Sequence, residues 1–116
     1  MAVAIGVNSY AYDADVVLGA DSSVSADADA KYAVAIGVYS GAVYLSFYNS
    51  GSIEASATGY VGFAAGVILE SYGDIYAYNY GDITATGSGD YVNAYGMILA
   101  SSNDVGLYNS GDILAE

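Results

Sequence analysis

Two short acidic phrases, D-A-D at 13–15 and again at 27–29, are the residues of this chain whose type and spacing come nearest to chemistry. Side chains two apart in an extended segment share a face. Each pair therefore sets its carboxylates roughly 7 Å apart, at a rise of about 3.3 Å per residue. Paired carboxylates serve glycoside hydrolysis. With loop carbonyls they also suit Ca2+, a hard cation that takes roughly six to eight oxygens. Asp13, Asp15, Asp27 and Asp29 are therefore the metal candidates, although neither an EF-hand loop nor a G-G-x-G-x-D nonapeptide accompanies them. The expectation is a solvated acidic face, with Ca2+ the sole cofactor to test for.

Other catalytic apparatus is missing. The chain has no His and no Cys, which removes the usual nucleophilic triads. It contains no G-x-x-x-x-G-K or G-x-G-x-x-G phosphate cradle. Lys31 is the only Lys or Arg, so no guanidinium is available to hold a uronate. The reading is of a protein that is not an enzyme. Thirteen acidic residues against that one lysine give a net charge of −12. Phosphate recognition needs basic residues, so nucleic acid is not expected as a partner and anionic membrane surfaces are a poor one. Multivalent cations, basic partners or a salty medium fit better. No run of 18 apolar residues occurs, so no membrane insertion is expected. No basic n-region precedes the apolar N-terminal stretch, so no secretory signal is read there.

The elements that position these side chains are legible from a repeat. N-S-G-S-I-E-A at 49–55 returns as N-Y-G-D-I-T-A at 79–85 and N-S-G-D-I-L-A at 109–115. A second phrase, A-I-G-V at 35–38, returns as A-A-G-V at 64–67 and A-Y-G-M at 94–97, and opens the chain as A-I-G-V at 4–7. Counting from Ala4 to Ala35, Ala64 and Ala94 gives steps of 31, 29 and 30. A period of that length marks a solenoid, in which each repeat buries its apolar face only against its neighbours. Apolar residues alternate within each phrase, so the units are strands. The absence of Pro and the supply of Val, Ile, Tyr and Thr agree with that. The prediction is one all-β domain, a parallel β-helix of four coils at about 2–32, 33–61, 62–91 and 92–116, each with three short strands. In the first, diverged coil Ala20 is expected at the Asn position and Ser22 at the Gly. All length changes are expected after the A-x-G strand. Gly73 and Asn103 are read as bends that tolerate positive φ.

Stacked coils turn columns of sequence into ladders about 4.8 Å apart. Parity places Asn49, Asn79 and Asn109 inward at a corner, where amides can hydrogen-bond along the column. The opposite parity gives an outward aromatic ladder of Tyr48, Tyr78 and Tyr108, with ring stacking available. In the A-x-G strand both faces are uncharged: Val34, Ile36 and Val38 on one, Ala33, Ala35, Gly37 and Tyr39 on the other. One of them must lie outside, either covered by loop 8–15 and its counterparts or free as an interaction patch.

N-S-G-x-I-x-A followed by A-x-G-[V/I/M] at about thirty residues resembles the passenger repeats of bacterial autotransporter adhesins. The resemblance covers 33–116 well and 2–32 weakly. It implies a right-handed parallel β-helix at the bacterial cell surface or outside the cell, structural or adhesive, with no catalytic site. Partners are then the chain itself, as homo-oligomer or filament, and a glycan or cell surface. For self-association the expected end-to-end interface joins Val3, Ile5 and Val7 of one copy to Ile113 and Ala115 of the next, a heterologous contact that propagates. The alternative is a polysaccharide-binding or polysaccharide-cleaving β-helix working through its surface Tyr and Asp residues.

Overall fold

A computed structural model describes all 116 residues and contains strands and turns only. The first coil holds β1 (Ala2–Tyr10), β2 (Asp13–Leu18) and β3 (Ser23–Asp29). The second holds β4 (Tyr32–Ala42), β5 (Tyr44–Asn49) and β6 (Ser52–Thr58). The third holds β7 (Val61–Ser71), β8 (Ile75–Asn79) and β9 (Asp82–Ser88), and the fourth β10 (Tyr91–Ser101), β11 (Val105–Asn109) and β12 (Ile113–Ala115). Every third strand pairs in parallel, giving three four-stranded sheets: β1-β4-β7-β10, β2-β5-β8-β11 and β3-β6-β9-β12. Of 79 backbone hydrogen bonds, 56 lie within the strand ladders, so the ladders are the main polar tie between coils. No helix is long and apolar enough to cross a membrane.

The interior is wedge-shaped because the inward residues change size around the coil. Where the first and third sheets face each other, Ala33, Ala35 and Ala64 meet Ala55, Ala57 and Ala85 in a thin alanine layer. Towards the second sheet the gap widens and is filled by Val38, Leu45, Phe47, Leu69, Ile75 and Ile83. Phe47, Ile75 and Ile83 are fully buried, each contributing about 1.5–3 kcal/mol by area. One interior polar atom, Ser40 Oγ, has no hydrogen-bond partner.

The long strands of the first sheet do not keep one parity. Ala33 and Ala35 point in, Val34 and Ile36 point out, and then Gly37 and Val38 both lie inside, so that Tyr39 faces out. Gly37 makes this possible. A Cβ there would meet Ile53 Cγ2 and the Gly66 carbonyl oxygen. The expectation that Val34, Ile36 and Val38 share a face is thus corrected: the shift at the glycine moves Val38 into the core. Nor does any loop cover the outer face, since β1 runs to Tyr10 and β2 starts at Asp13.

Register also corrects the corners. Leu18, not Ala20, pairs with Asn49, and Ser23 pairs with Ser52. Five residue steps therefore separate Leu18 from Ser23, where three separate Asn49 from Ser52. One length change sits in this corner and not after the A-x-G strand. A further residue is inserted after that strand, between Ser71 and Ile75, against Ala42 to Leu45. The only positive φ in the chain is that of Gly89, at 146°, so Gly73 and Asn103 turn their bends with ordinary backbone. The corner glycines serve close approach instead: a Cβ on Gly81 would meet the Gly51 carbonyl oxygen, and one on Gly111 that of Gly81.

Candidate functional site

The Asn column is a continuous amide ladder. Asn49 Nδ2 donates to Asn79 Oδ1 at 2.8 Å, and Asn79 Nδ2 donates to Asn109 Oδ1 at 2.8 Å. Each Nδ2 also donates to the carbonyl two residues on, that of Gly51, Gly81 or Gly111. The two amide protons thus divide between holding coils together and closing the tight corner. Where Leu18 stands in the column, the corner is longer and closes by the Ser22 amide and hydroxyl, both donating to the Gly19 carbonyl.

Tyr48, Tyr78 and Tyr108 share one outward column in register, but their rings do not form a simple stack. Tyr80 enters between them: its centroid lies 5.2 Å from that of Tyr48 and 5.6 Å from that of Tyr108, while Tyr78 and Tyr108 are 6.5 Å apart. The sequence held a signal for this. Tyr80 has the parity of Tyr78 and stands where the other repeats carry Ser50 and Ser110. Partial removal from water, then the neighbouring phenols, raise its hydroxyl above the ordinary tyrosine range. Beside this cluster Gly106 leaves a hollow of about 200 Å3 flanked by Tyr76, Tyr78 and Tyr108. Tyr76 is likewise raised, chiefly by the Asp74 carboxylate, to which its hydroxyl donates at 3.4 Å.

The acidic candidates are split between sheets. Asp13 and Asp15 face outward from β2, and Asp27 and Asp29 from β3. No three carboxylates converge anywhere in the chain. Of the expected end-to-end residues, Val3 and Ile5 point outward from the first sheet and are 54 % and 42 % exposed, while Val7 and Ile113 are half-buried on the inner side. Ala115 is exposed at the end of β12. Side chains more telling for stacking are Val105 and Leu107, 45 % and 48 % exposed. They stand in the columns of Ile75 and Ala77, which are buried one coil earlier.

The first sheet separates charge from apolar surface. Among all residues of β1, β4, β7 and β10, Glu70 alone is charged. Val34, Ile36 and Phe63 lie on its outer face without full burial. Glu70 accepts a hydrogen bond from the Tyr39 hydroxyl at 2.5 Å. That bond, first among several causes, raises Tyr39 far above the ordinary tyrosine range. The sequence reading passed over Glu70, although a lone carboxylate in an otherwise uncharged strand is a visible signal.

These features define a class: a parallel β-solenoid of four coils, about thirty residues each, three strands to a coil. Compared with protein-family models, curated proteins and solved structures, the chain has no match.

Proposed function

We propose that the chain is a structural, adhesive β-solenoid module that associates with copies of itself end to end. The supporting observation is the exposure of Val105 and Leu107 in columns that are buried elsewhere. Covering the exposed half of such a side chain is worth about 0.7–1.5 kcal/mol, and the open strand edges beside them offer unpaired backbone groups to a further coil. Continuing the register by one coil sets β1, β2 and β3 of a second copy against β10, β11 and β12, with Val16 next to Leu107. The resemblance to adhesin passenger repeats supports a setting at the cell surface or outside the cell.

Sedimentation velocity at rising concentration, with electron microscopy of the same samples, tests this. The expected result is concentration-dependent growth into rods, abolished by Leu107→Arg and retained in Ile36→Lys on the outer face of β4. A monomer at every concentration, or loss of association in Ile36→Lys but not in Leu107→Arg, overturns it.

A second reading, glycan binding, rests on the hollow at Gly106, whose tyrosine walls suit the apolar face of a sugar ring. A glycan array with Tyr78→Ala as control tests that reading, and loss of specific signal in the variant supports it.

A further inference from the structure

We propose that the groove at the corner between the first and second sheets is a binding site for an organic ammonium ion. It passes Tyr10, Tyr39, Glu70 and Tyr72 and encloses about 530 Å3, within the range of roughly 300–1,000 Å3 typical of ligand sites. This groove goes beyond end-to-end assembly, although its two ends, Tyr10 on β1 and Ala100 on β10, lie on the strands that would meet between stacked copies.

Its shape follows from the register. Tyr10 pairs with Gly41, Gly41 with Glu70, and Glu70 with Ala100. These four residues are successive rungs of one outward column. Gly41 has no side chain, so the Tyr10 ring lies over it, with ring carbons 2.8 and 3.0 Å from where a Cβ would be. That brings Tyr10 within 5.4 Å of Tyr39, centroid to centroid. Below Glu70, the small Ala100 leaves the carboxylate uncovered. Tyr72, 81 % exposed, contributes a third ring from the neighbouring corner.

The polarity selects the ligand. Three of the six hydroxyls along the groove are already spent. The Tyr39 hydroxyl donates to Glu70 Oε2, Ser71 Oγ donates to the Val43 carbonyl and Ser101 Oγ to the Gly73 carbonyl. Those two serine oxygens also accept from the amides of Gly73 and Asn103. What remains is the free Oε1 of Glu70, the hydroxyls of Tyr10, Tyr72 and Ser102, and the faces of three tyrosines. No basic residue neutralises the carboxylate: Lys31, the only one in the chain, has its Nζ 5.7 Å from the Tyr32 ring centroid. A cation that binds both a carboxylate and π faces is favoured, and a net charge of −12 draws it in. One carboxylate supplies too few oxygens for Ca2+, which takes roughly six to eight. A neutral sugar would bring no charge to match the Glu70 carboxylate.

The test is NMR titration of the chain with butylammonium chloride, following the ring signals of all tyrosines, with sodium chloride at matched ionic strength as reference. The expected result is saturable shifts confined to Tyr10, Tyr39 and Tyr72, absent with sodium. Glu70→Gln should weaken binding about tenfold, as loss of a charge-assisted hydrogen bond does. Tyr72→Ala should weaken it about two- to thirtyfold, the range of a cation–π contact. Both positions are exposed, and unchanged circular dichroism confirms the fold. Shifts spread evenly over all tyrosines, equal affinity in Glu70→Gln, or saturable binding of xylohexaose at the same rings in place of the ammonium ion overturns the proposal.

Discussion

Ile83 occupies the space that a side chain on Gly66 would need. The same holds for Ile53 on Gly37, Ile113 on Gly96 and Val24 on Gly6, so the two recurring phrases of the sequence are the two halves of one contact. The isoleucine of one strand packs onto the glycine where the long strand changes parity, and that contact sets the width of the wedge.

Gly66→Ala should therefore lower stability by about 2 kcal/mol, in the range of core overpacking. Adding Ile83→Ala should cost less than the sum of the two changes, because the methyl then has room. Rescue stays partial, since the Gly96 carbonyl oxygen lies 2.6 Å from the new Cβ. Gly19 has nothing within 4 Å of an added Cβ, so Gly19→Ala should leave the urea midpoint unchanged or raise it slightly. Equal midpoints for the two glycine variants would count against this account.

Asn79→Leu should cost about 2–4 kcal/mol by urea denaturation. The change leaves one Asn49 Nδ2 proton unpaired inside the stack and the Gly81 carbonyl without its donor, and each buried group left unpaired costs about 1–3 kcal/mol. Asn109, exposed in the last coil, turns its Oδ1 to water. Leu18 is tolerated in the same column because its corner is two residues longer and closes on Ser22. Inserting two residues after position 79 in the Leu variant should accordingly recover part of the loss. If the insertion destabilises it further, the coupling between Asn and corner length is wrong.

How far the sequence spoke depended on whether a feature repeats. Columns such as Asn49-Asn79-Asn109 and Ile53-Ile83-Ile113 recur with fixed spacing, so strand identity and parallel stacking were readable from them. The first coil was misaligned by two residues because apolar alternation matches Val16 and Leu18 to either register; only hydrogen bonding at the corner decides it. The parity change at Gly37 was hidden because both faces of that strand are uncharged, leaving alternation nothing to mark. Tyr80 and Glu70 each break a column instead of continuing it, and a search for repeats passes over such residues.

Tyr39 makes stability sensitive to alkali. Its folded pKa is raised by the hydrogen bond to Glu70, so the unfolded chain loses the phenolic proton first as pH rises. The stabilisation is complete below the ordinary tyrosine pKa of about 10 and disappears as pH climbs towards the folded value. Absorbance titration of tyrosinate should find one ring titrating well after the rest, and Tyr39→Phe should remove it. Glu70→Gln should bring that late ring back towards the others. Tyr76 and Tyr80 are also raised, so the decisive outcome is the last ring: if the latest titration is unchanged in Tyr39→Phe, the assignment is mistaken.

End-to-end association, if it keeps the intrachain register, carries a specific electrostatic signature. Asp13 pairs with Tyr44, and Tyr44 precedes Leu45 as Asp104 precedes Val105; one further coil therefore places Asp13 beside Asp104. Likewise the column of Ala26, Ala55, Ala85 and Ala115 places Asp27 beside Glu116. At about 4.8 Å each like-charged pair repels by about 0.9 kcal/mol in water. Association should strengthen from about 0.01 M to 0.15 M salt, as the screening length falls from about 30 Å to about 8 Å. General repulsion between two acidic chains gives the same trend, so the decisive comparison is between variants at low salt. Removing both contacts with Asp13→Asn and Asp27→Asn should tighten association about tenfold. Glu54→Gln removes one charge from an exposed position on β6, in the middle of the stack, and should leave association nearly unchanged. Equal tightening per charge removed at both places would mean that the copies do not meet in this register.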